Sequence, residues 1–291
     1  MPKISDSCLL VNLKISVFSG TKTDKKLTTE VSENHRTKSD ALRVVKRLVS
    51  KEDPDLQMVN KIVSEIRTFH RENTVPWGDD GARMLPGKHH DVYMKNIRGL
   101  IEKGEVAAAG FCAKWPEKLR QARIDLNGTF NEADYPDETT IASHFSFRII
   151  RAPVPDGGDI RVDLPAQEIE SMRREISERI SEAEKAAENE LYARLGEKLA
   201  NFVNKLNEKG SDGKPAVFRD SLVGNIREIC DLIPSLNVTG DQRLEQVRRE
   251  IMGSIGKLRP DEIRDDVFTR KEALQRASNI LEMLGPIPEA A

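Results

Sequence analysis

AQEIESMRREISERISEAEKAAENELYARLGEKLANFVNKLN, residues Ala166–Asn207, is the stretch on which the fold class turns. Along it Ile169, Met172, Ile176, Ile180, Ala183, Ala187, Leu191, Leu195, Leu199, Phe202 and Leu206 recur every three or four residues. The ten intervals cover 37 residues, a mean of 3.7. That period keeps the apolar seam nearly straight along one helix, where the 3.5-residue repeat of a left-handed coiled coil would make it wind. A helix of this length spans roughly 60 Å at ~1.5 Å per residue. It outreaches a small domain, so other helices, from this chain or from a second copy, must cover its stripe. Gly210-Ser-Asp-Gly213 is expected to end it.

Downstream the same periodicity continues in shorter pieces. Phe218, Leu222, Ile226, Ile229 and Leu232 mark one helix running to Pro234. Leu244, Val247, Ile251 and Ile255 mark another after the Thr239/Asp241 cap region, and Val267, Leu274, Ile280 and Leu284 a last one.

Upstream the pattern is mixed. Leu9, Val11, Leu13, Ile15 and Val17 alternate with their neighbours, which predicts a half-buried strand. Gly20 to Lys26 reads as a polar turn, and Leu27-Thr-Thr-Glu-Val31 as a returning strand. Ser39 or Asp40 is placed to cap a short basic helix carrying Leu42, Val45, Leu48 and Val49, and Pro54 opens a further helix. The segment Asn73 to Pro86 holds two short runs around Gly78-Asp-Asp-Gly81, an irregular hairpin or loop. From Asp91 to about Asn127 the pattern is helical, divided or kinked at Pro116. Phe145, Phe147 and Ile149 alternate as a strand, with Ile160, Val162 and Leu164 as the expected hairpin partner. The architecture expected is therefore α+β and mainly helical. Residues 1–164 form a mixed domain with a small antiparallel sheet, and residues 165–291 a helical bundle around one long amphipathic helix.

The 291 residues are 38% hydrophobic, 32% charged and 5% aromatic, a profile of helices with broad solvated faces. The net charge of -2 is unevenly spread: residues 1–51 carry 11 Lys/Arg against 5 Asp/Glu, leaving -8 for the remainder. A basic front end can approach phosphates or an acidic protein. Cys8, Cys112 and Cys230 are scattered and match no ligand spacing, which argues for a reducing compartment and against a disulfide framework. No stretch approaches the roughly 18 apolar residues of a membrane helix, so a cytoplasmic protein with no membrane partner is expected.

Catalytic signatures are near misses. Gly81 to Gly87-Lys88 has five intervening residues where a phosphate-binding loop needs four, and His89 stands where the magnesium-binding hydroxyl belongs. Adjacent histidines such as His89 and His90 diverge on a helix or a strand, so they make a poor metal pair, and neither a metal nor a cofactor is expected. An enzyme built from Asp79, Asp80, His89 and His90 is the least favoured reading, because nothing in the sequence makes their roles converge. The candidate contact residues are Lys22, Lys25, Lys26, Lys38, Arg43, Lys46 and Arg47 of the basic front end, together with Trp77 and Arg83. Each has a plainer reading, as solvated charge for the basic residues and as a core anchor for Trp77.

Four runs carry a resemblance: LVNLKISVFSG (10–20), RTFHRENTVPWGDDG (67–81), FNEADYP (130–136) and VFRDSLVGNIREICDLIP (217–234). They resemble, in order and across nearly the whole chain, a family of uncharacterised phage and prophage proteins similar to domain of unknown function thirty-one-fifty. The resemblance implies a non-virion role in the host bacterial cytoplasm, in phage DNA metabolism or host takeover, and transfers no catalytic residue. Together with the charge pattern it leads to the expectation of a non-enzymatic, self-associating accessory of phage DNA recombination or replication that binds single-stranded DNA. The alternative is an interaction or scaffold protein for a host defence or replication factor or a ring ATPase.

Overall fold

The computed structural model describes residues 3–38, 40–78, 81–208 and 218–285. The Gly210–Gly213 stop, the Asp79-Asp80 pair and the Ser39 cap lie outside them. In chain order the elements are α1 (Ile4–Ser7), β1 (Cys8–Ser16), β2 (Thr21–Thr23), α2 (Lys25–Asn34), β3 (Val45–Arg47), α3 (Pro54–Glu72), β4 (Val75–Pro76), β5 (Ala82–Pro86), α4 (His90–Ala113), α5 (Trp115–Leu126), β6 (Ser146–Pro153), α6 (Ala166–Asn207), α7 (Ser221–Leu236), α8 (Gln242–Gly253), α9 (Pro260–Asp265) and α10 (Val267–Leu284). The fold is α+β and mainly helical, with a sheet of strand order β4-β5-β1-β6 and a two-stranded ribbon of β2 and β3.

Two compact units divide the chain differently from the expected boundary at 164/165. Unit 1 is Met1–Asn12, Arg71–Tyr93 and Arg151–Ala291; unit 2 is Leu13–His70 and Met94–Ile150. The helical C-terminal region is not a separate domain, because its seam takes in side chains from two N-terminal pieces.

Within unit 1, α6 spans the predicted Ala166–Asn207 in full, entered through Pro165, whose fixed φ suits the position before a helix. α7 and α10 pack along it. Its seam is unevenly covered. Ala183, Ala187, Leu191, Leu195, Leu199, Phe202 and Leu206 are buried in one core with Phe218, Ile226, Ile233, Ile251 and Ile280. Ile169, Met172, Ile176 and Ile180, at the other end, are only half-buried. The same core takes Ile4, Cys8, Val75, Trp77 and Met84 from the N-terminal pieces. There β1 pairs antiparallel with β5, Cys8 opposite Pro86 and Asn12 opposite Ala82, while β4 and β5 form the hairpin around Gly78 and Gly81. Gly81 adopts φ +79, which a glycine reaches without a Cβ clash. Asp241 and Asp266 cap α8 and α10, each accepting two backbone N–H groups at 2.8–3.3 Å.

Unit 2 is built on α3, α4 and α5. Val59, Val63, Ile66, Ile97, Phe111, Trp115 and Ile141 are almost fully enclosed. Pro116 does divide the helical stretch, falling in the first turn of α5. Three local expectations are corrected here. Residues 27–31 lie inside α2 and not in a strand, because Asp24 caps the segment by accepting the Leu27 N–H at 3.0 Å. The basic segment expected as a helix is strand β3, pairing Val45, Lys46 and Arg47 with Thr23, Lys22 and Thr21. In unit 1, Ile160, Val162 and Leu164 form no strand; Val162 and Leu164 are 58% and 38% exposed, so their alternation has no buried face to follow.

Candidate nucleic-acid interface

The seven basic candidates of the front end gather on one piece of unit 2, the β2–α2–β3 module. Residues 21–47 hold eight Lys/Arg against four Asp/Glu. Antiparallel pairing sorts these cations by face, since directly opposed residues share one side of a ribbon. Lys22 lies opposite Lys46, and Arg47 lies opposite Thr21.

Lys46 is a buried structural cation. Its ammonium pairs with Asp134 and, at 3.2 Å, with Asp24, and donates to the Thr129 carbonyl at 3.0 Å. Burial opposes its charge, while the two carboxylates hold its pKa above the ordinary lysine value. Asp134 sits below the ordinary carboxylate range: burial raises it, and Lys46 and Lys22 together outweigh that. Lys22 reaches Asp134 at 3.0 Å with its side chain 47% exposed, so it is both tied and accessible.

Arg43, Arg47, Lys25, Lys26 and Lys38 are exposed. Arg43 is held in place by Thr23 Oγ1, which accepts from its Nε at 2.9 Å and Nη2 at 2.7 Å. Lys25 and Lys26 occupy the first turn of α2, where the helix dipole disfavours cations and the Asp24 cap offsets part of that cost.

Trp77 and Arg83 belong to unit 1 and have other occupations. Trp77 is 3% exposed, part of the core, with the Arg179 guanidinium 5.5 Å above its ring. Arg83 donates to Thr74 Oγ1 at 2.8 Å and forks onto Glu190 at 2.8 and 2.9 Å. Glu190 also takes Arg194, which in turn donates to the carbonyls of Arg71, Glu72 and Thr74. This cluster satisfies backbone acceptors left over where a helix ends. The structure gives Trp77 and Arg83 different partners, Arg179 for the ring and Thr74 and Glu190 for the guanidinium.

Of the four residues of the enzyme reading, the structure describes His89 and His90, and they turn to different partners. His89 Nε2 lies 2.8 Å from Asn73 Oδ1 in the interior, and burial lowers the ring's pKa; His90 turns to Asp91 at 2.9 Å. Among the described residues there is no group of three or more His, Cys, Asp or Glu side chains able to hold a metal ion. Cys8, Cys112 and Cys230 are free thiols, and burial pushes Cys230 up to about 12, far from a reactive thiolate. A depression of about 250 Å³ in unit 1 is lined by Ile4, Ser181, Glu184, Lys185, Glu188, Val238 and Thr239. Among the described residues no helix is long and apolar enough to cross a membrane.

The sequence reading noted residues 130–136, in the loop that follows α5, only for their resemblance and gave them no contact role. Lys46 and Lys22 hold this loop to the ribbon, and it presents Phe130; a single phenylalanine in a polar loop has no period to reveal it. Comparison of the chain with protein-family models, with curated proteins and with solved structures found no match.

Proposed function

We propose that the chain is a non-enzymatic nucleic-acid-binding accessory, of the kind that serves phage DNA recombination or replication, and that the β2–α2–β3 module makes the contact. The observation that carries this is the exposed cation set Lys22, Lys25, Lys26, Lys38, Arg43 and Arg47 on a 27-residue module in a chain of net charge -2. Phosphates attract such a set regardless of base sequence, and a two-stranded ribbon beside a helix whose first turn carries two lysines is a surface that tracks a backbone. The resemblance to phage proteins fits the reading.

The test is fluorescence anisotropy of a labelled oligothymidylate against salt. With about four phosphates neutralised, affinity for a single strand should fall about fiftyfold between roughly 50 and 200 mM salt. Replacing Lys25, Lys26 and Arg47 by Glu should remove most of the binding and flatten the salt slope. Affinity that is unchanged in the triple variant overturns the assignment to this module.

A second reading, a self-associating interaction or scaffold protein for a host defence or replication factor or a ring ATPase, is favoured by one observation. The Ile169–Ile180 end of the α6 seam is half-buried, whereas the Ala183–Leu206 end is covered. Light scattering showing a single-chain mass at all concentrations would count against self-association there.

A further inference from the structure

Only fourteen of the 291 side chains are aromatic rings of Phe, Trp or Tyr. Unit 2 joins six of them in one run of ring contacts: Phe18, Phe111, Phe145, Trp115, Tyr135 and Phe130. The run starts in the core, where Phe111 and Trp115 are 0% and 1% exposed, and ends at Phe130, which is half-buried. Tyr135 stacks on Phe130 with centroids 5.2 Å apart and planes 27° from parallel, and Trp115 backs Tyr135 at 6.2 Å. The Arg123 guanidinium lies 5.1 Å from the Phe130 ring centre.

The loop around Phe130 is fixed at both ends. Asn127 takes φ +39, a left-handed value asparagine tolerates, and turns the chain out of α5. Trp115 Nε1 donates to the Pro136 carbonyl at 3.0 Å. Lys46 holds the Thr129 carbonyl, next to Phe130, and Lys22 holds Asp134. The ring is therefore held rigidly beside the face of the ribbon that carries Lys22. Its covering cation is loosely held: the Arg123 side chain is 61% exposed, and its ion pair with Glu132 is 3.4 Å long.

We propose that Phe130 and Arg123 form a base-stacking subsite, and that the nucleic acid taken by this chain is single-stranded. This rests on the nucleic-acid reading and deepens it. An unpaired base takes the ring face that Arg123 covers, and the freed guanidinium joins Lys22 on the adjoining phosphates. A rigid aromatic surface flanked by cations is the arrangement that binds single strands with little sequence preference, since every base has a π-face. A duplex keeps its bases stacked inside and gains nothing from the ring.

The experiment compares an oligothymidylate of about twenty nucleotides, an abasic strand of equal length and a duplex, each against the full chain and its Phe130→Ala variant. The expected result is about tenfold weaker binding of the oligothymidylate by Phe130→Ala, with the abasic strand and the duplex bound as by the unmodified chain. Phe130→Trp retains the platform and should bind at least as tightly, its added fluorescence being quenched by the oligothymidylate and not by the abasic strand. Because Phe130→Ala can loosen the loop, Phe130→Leu, which fills the space without a π-face, should show the same selective loss. Equal binding of oligothymidylate and abasic strand by the unmodified chain overturns the stacking subsite while leaving the phosphate-contacting module standing. No salt-sensitive binding of any strand overturns both.

Discussion

The uneven covering of α6 can be tested by truncating the same seam at two depths. Leu195 is 0% exposed in the unit 1 core. Leu195→Ala removes three carbons worth about 0.8 kcal/mol each and leaves an enclosed void, so the expected loss is about 3–4 kcal/mol. Ile176 lies nineteen residues earlier on the same stripe and is half-buried. Its truncation forfeits about half the transfer term, opens no closed cavity and gains slightly in helix propensity, for a net cost of about 1 kcal/mol or less. Urea unfolding followed by circular dichroism reads both; with a slope near ~2 kcal/mol/M the midpoint should fall by about 1.5–2 M for Leu195→Ala and about 0.5 M for Ile176→Ala. Repeating the titration at chain concentrations about fiftyfold apart separates packing within the chain from packing between copies, because only the latter strengthens by mass action. Equal losses for the two variants at the lower concentration would refute the gradient of burial along α6.

Two glycines of α4 give a paired prediction. A Cβ on Gly104 would stand 2.9–3.3 Å from three atoms of the Phe147 ring, whereas one on Gly99 would meet nothing within 4 Å. Gly99→Ala should therefore raise the melting temperature, by up to about 1 kcal/mol of helix propensity. Gly104→Ala should lower it, since about 1–3 kcal/mol of overpacking outweighs the same gain. A rise for both would show that Phe147 yields freely. His89 supplies a pH signature. Its folded pKa lies below the ordinary 6.5, so between the two values the unfolded chain binds a proton that the folded chain does not. Stability is unaffected by this group above pH 6.5 and falls as pH drops from there to the folded pKa. His89→Gln should flatten that limb of a stability–pH curve, and an unchanged slope would place the effect elsewhere.

How much the sequence disclosed follows from how local each signal was. The bounds of α6, the start of α3 at Pro54 and the division at Pro116 were legible, because a long apolar period or a proline acts through its own neighbourhood. Residues 27–31 misled through two threonines and a valine, β-branched residues that favour strands; the competing signal was Asp24, a cap set three residues before Leu27. Arg43, Lys46 and Arg47 sit at helical spacing, yet the pairing of Val45–Arg47 with Thr21–Thr23 closes a loop of more than twenty residues that no periodicity encodes. The candidate site was half legible for the same reason. Charge density pointed to the module, but only the structure separates Lys46, buried between two carboxylates, from the exposed cations around it. Trp77 turned out to be the core anchor that its plainer reading described.

Unit 1 draws on three separated lengths of chain, and that has a consequence for synthesis. As the polypeptide leaves the ribosome, Ile4 and Cys8 emerge before the helices that enclose them, which follow more than 150 residues later. Until then β1 and the β4–β5 hairpin expose an apolar edge, a state open to mispairing between nascent chains. Cutting the gene at residue 165 to obtain a tidy helical fragment would strip Val75, Trp77 and Met84 from the interior, and the fragment should come out sticky rather than self-sufficient.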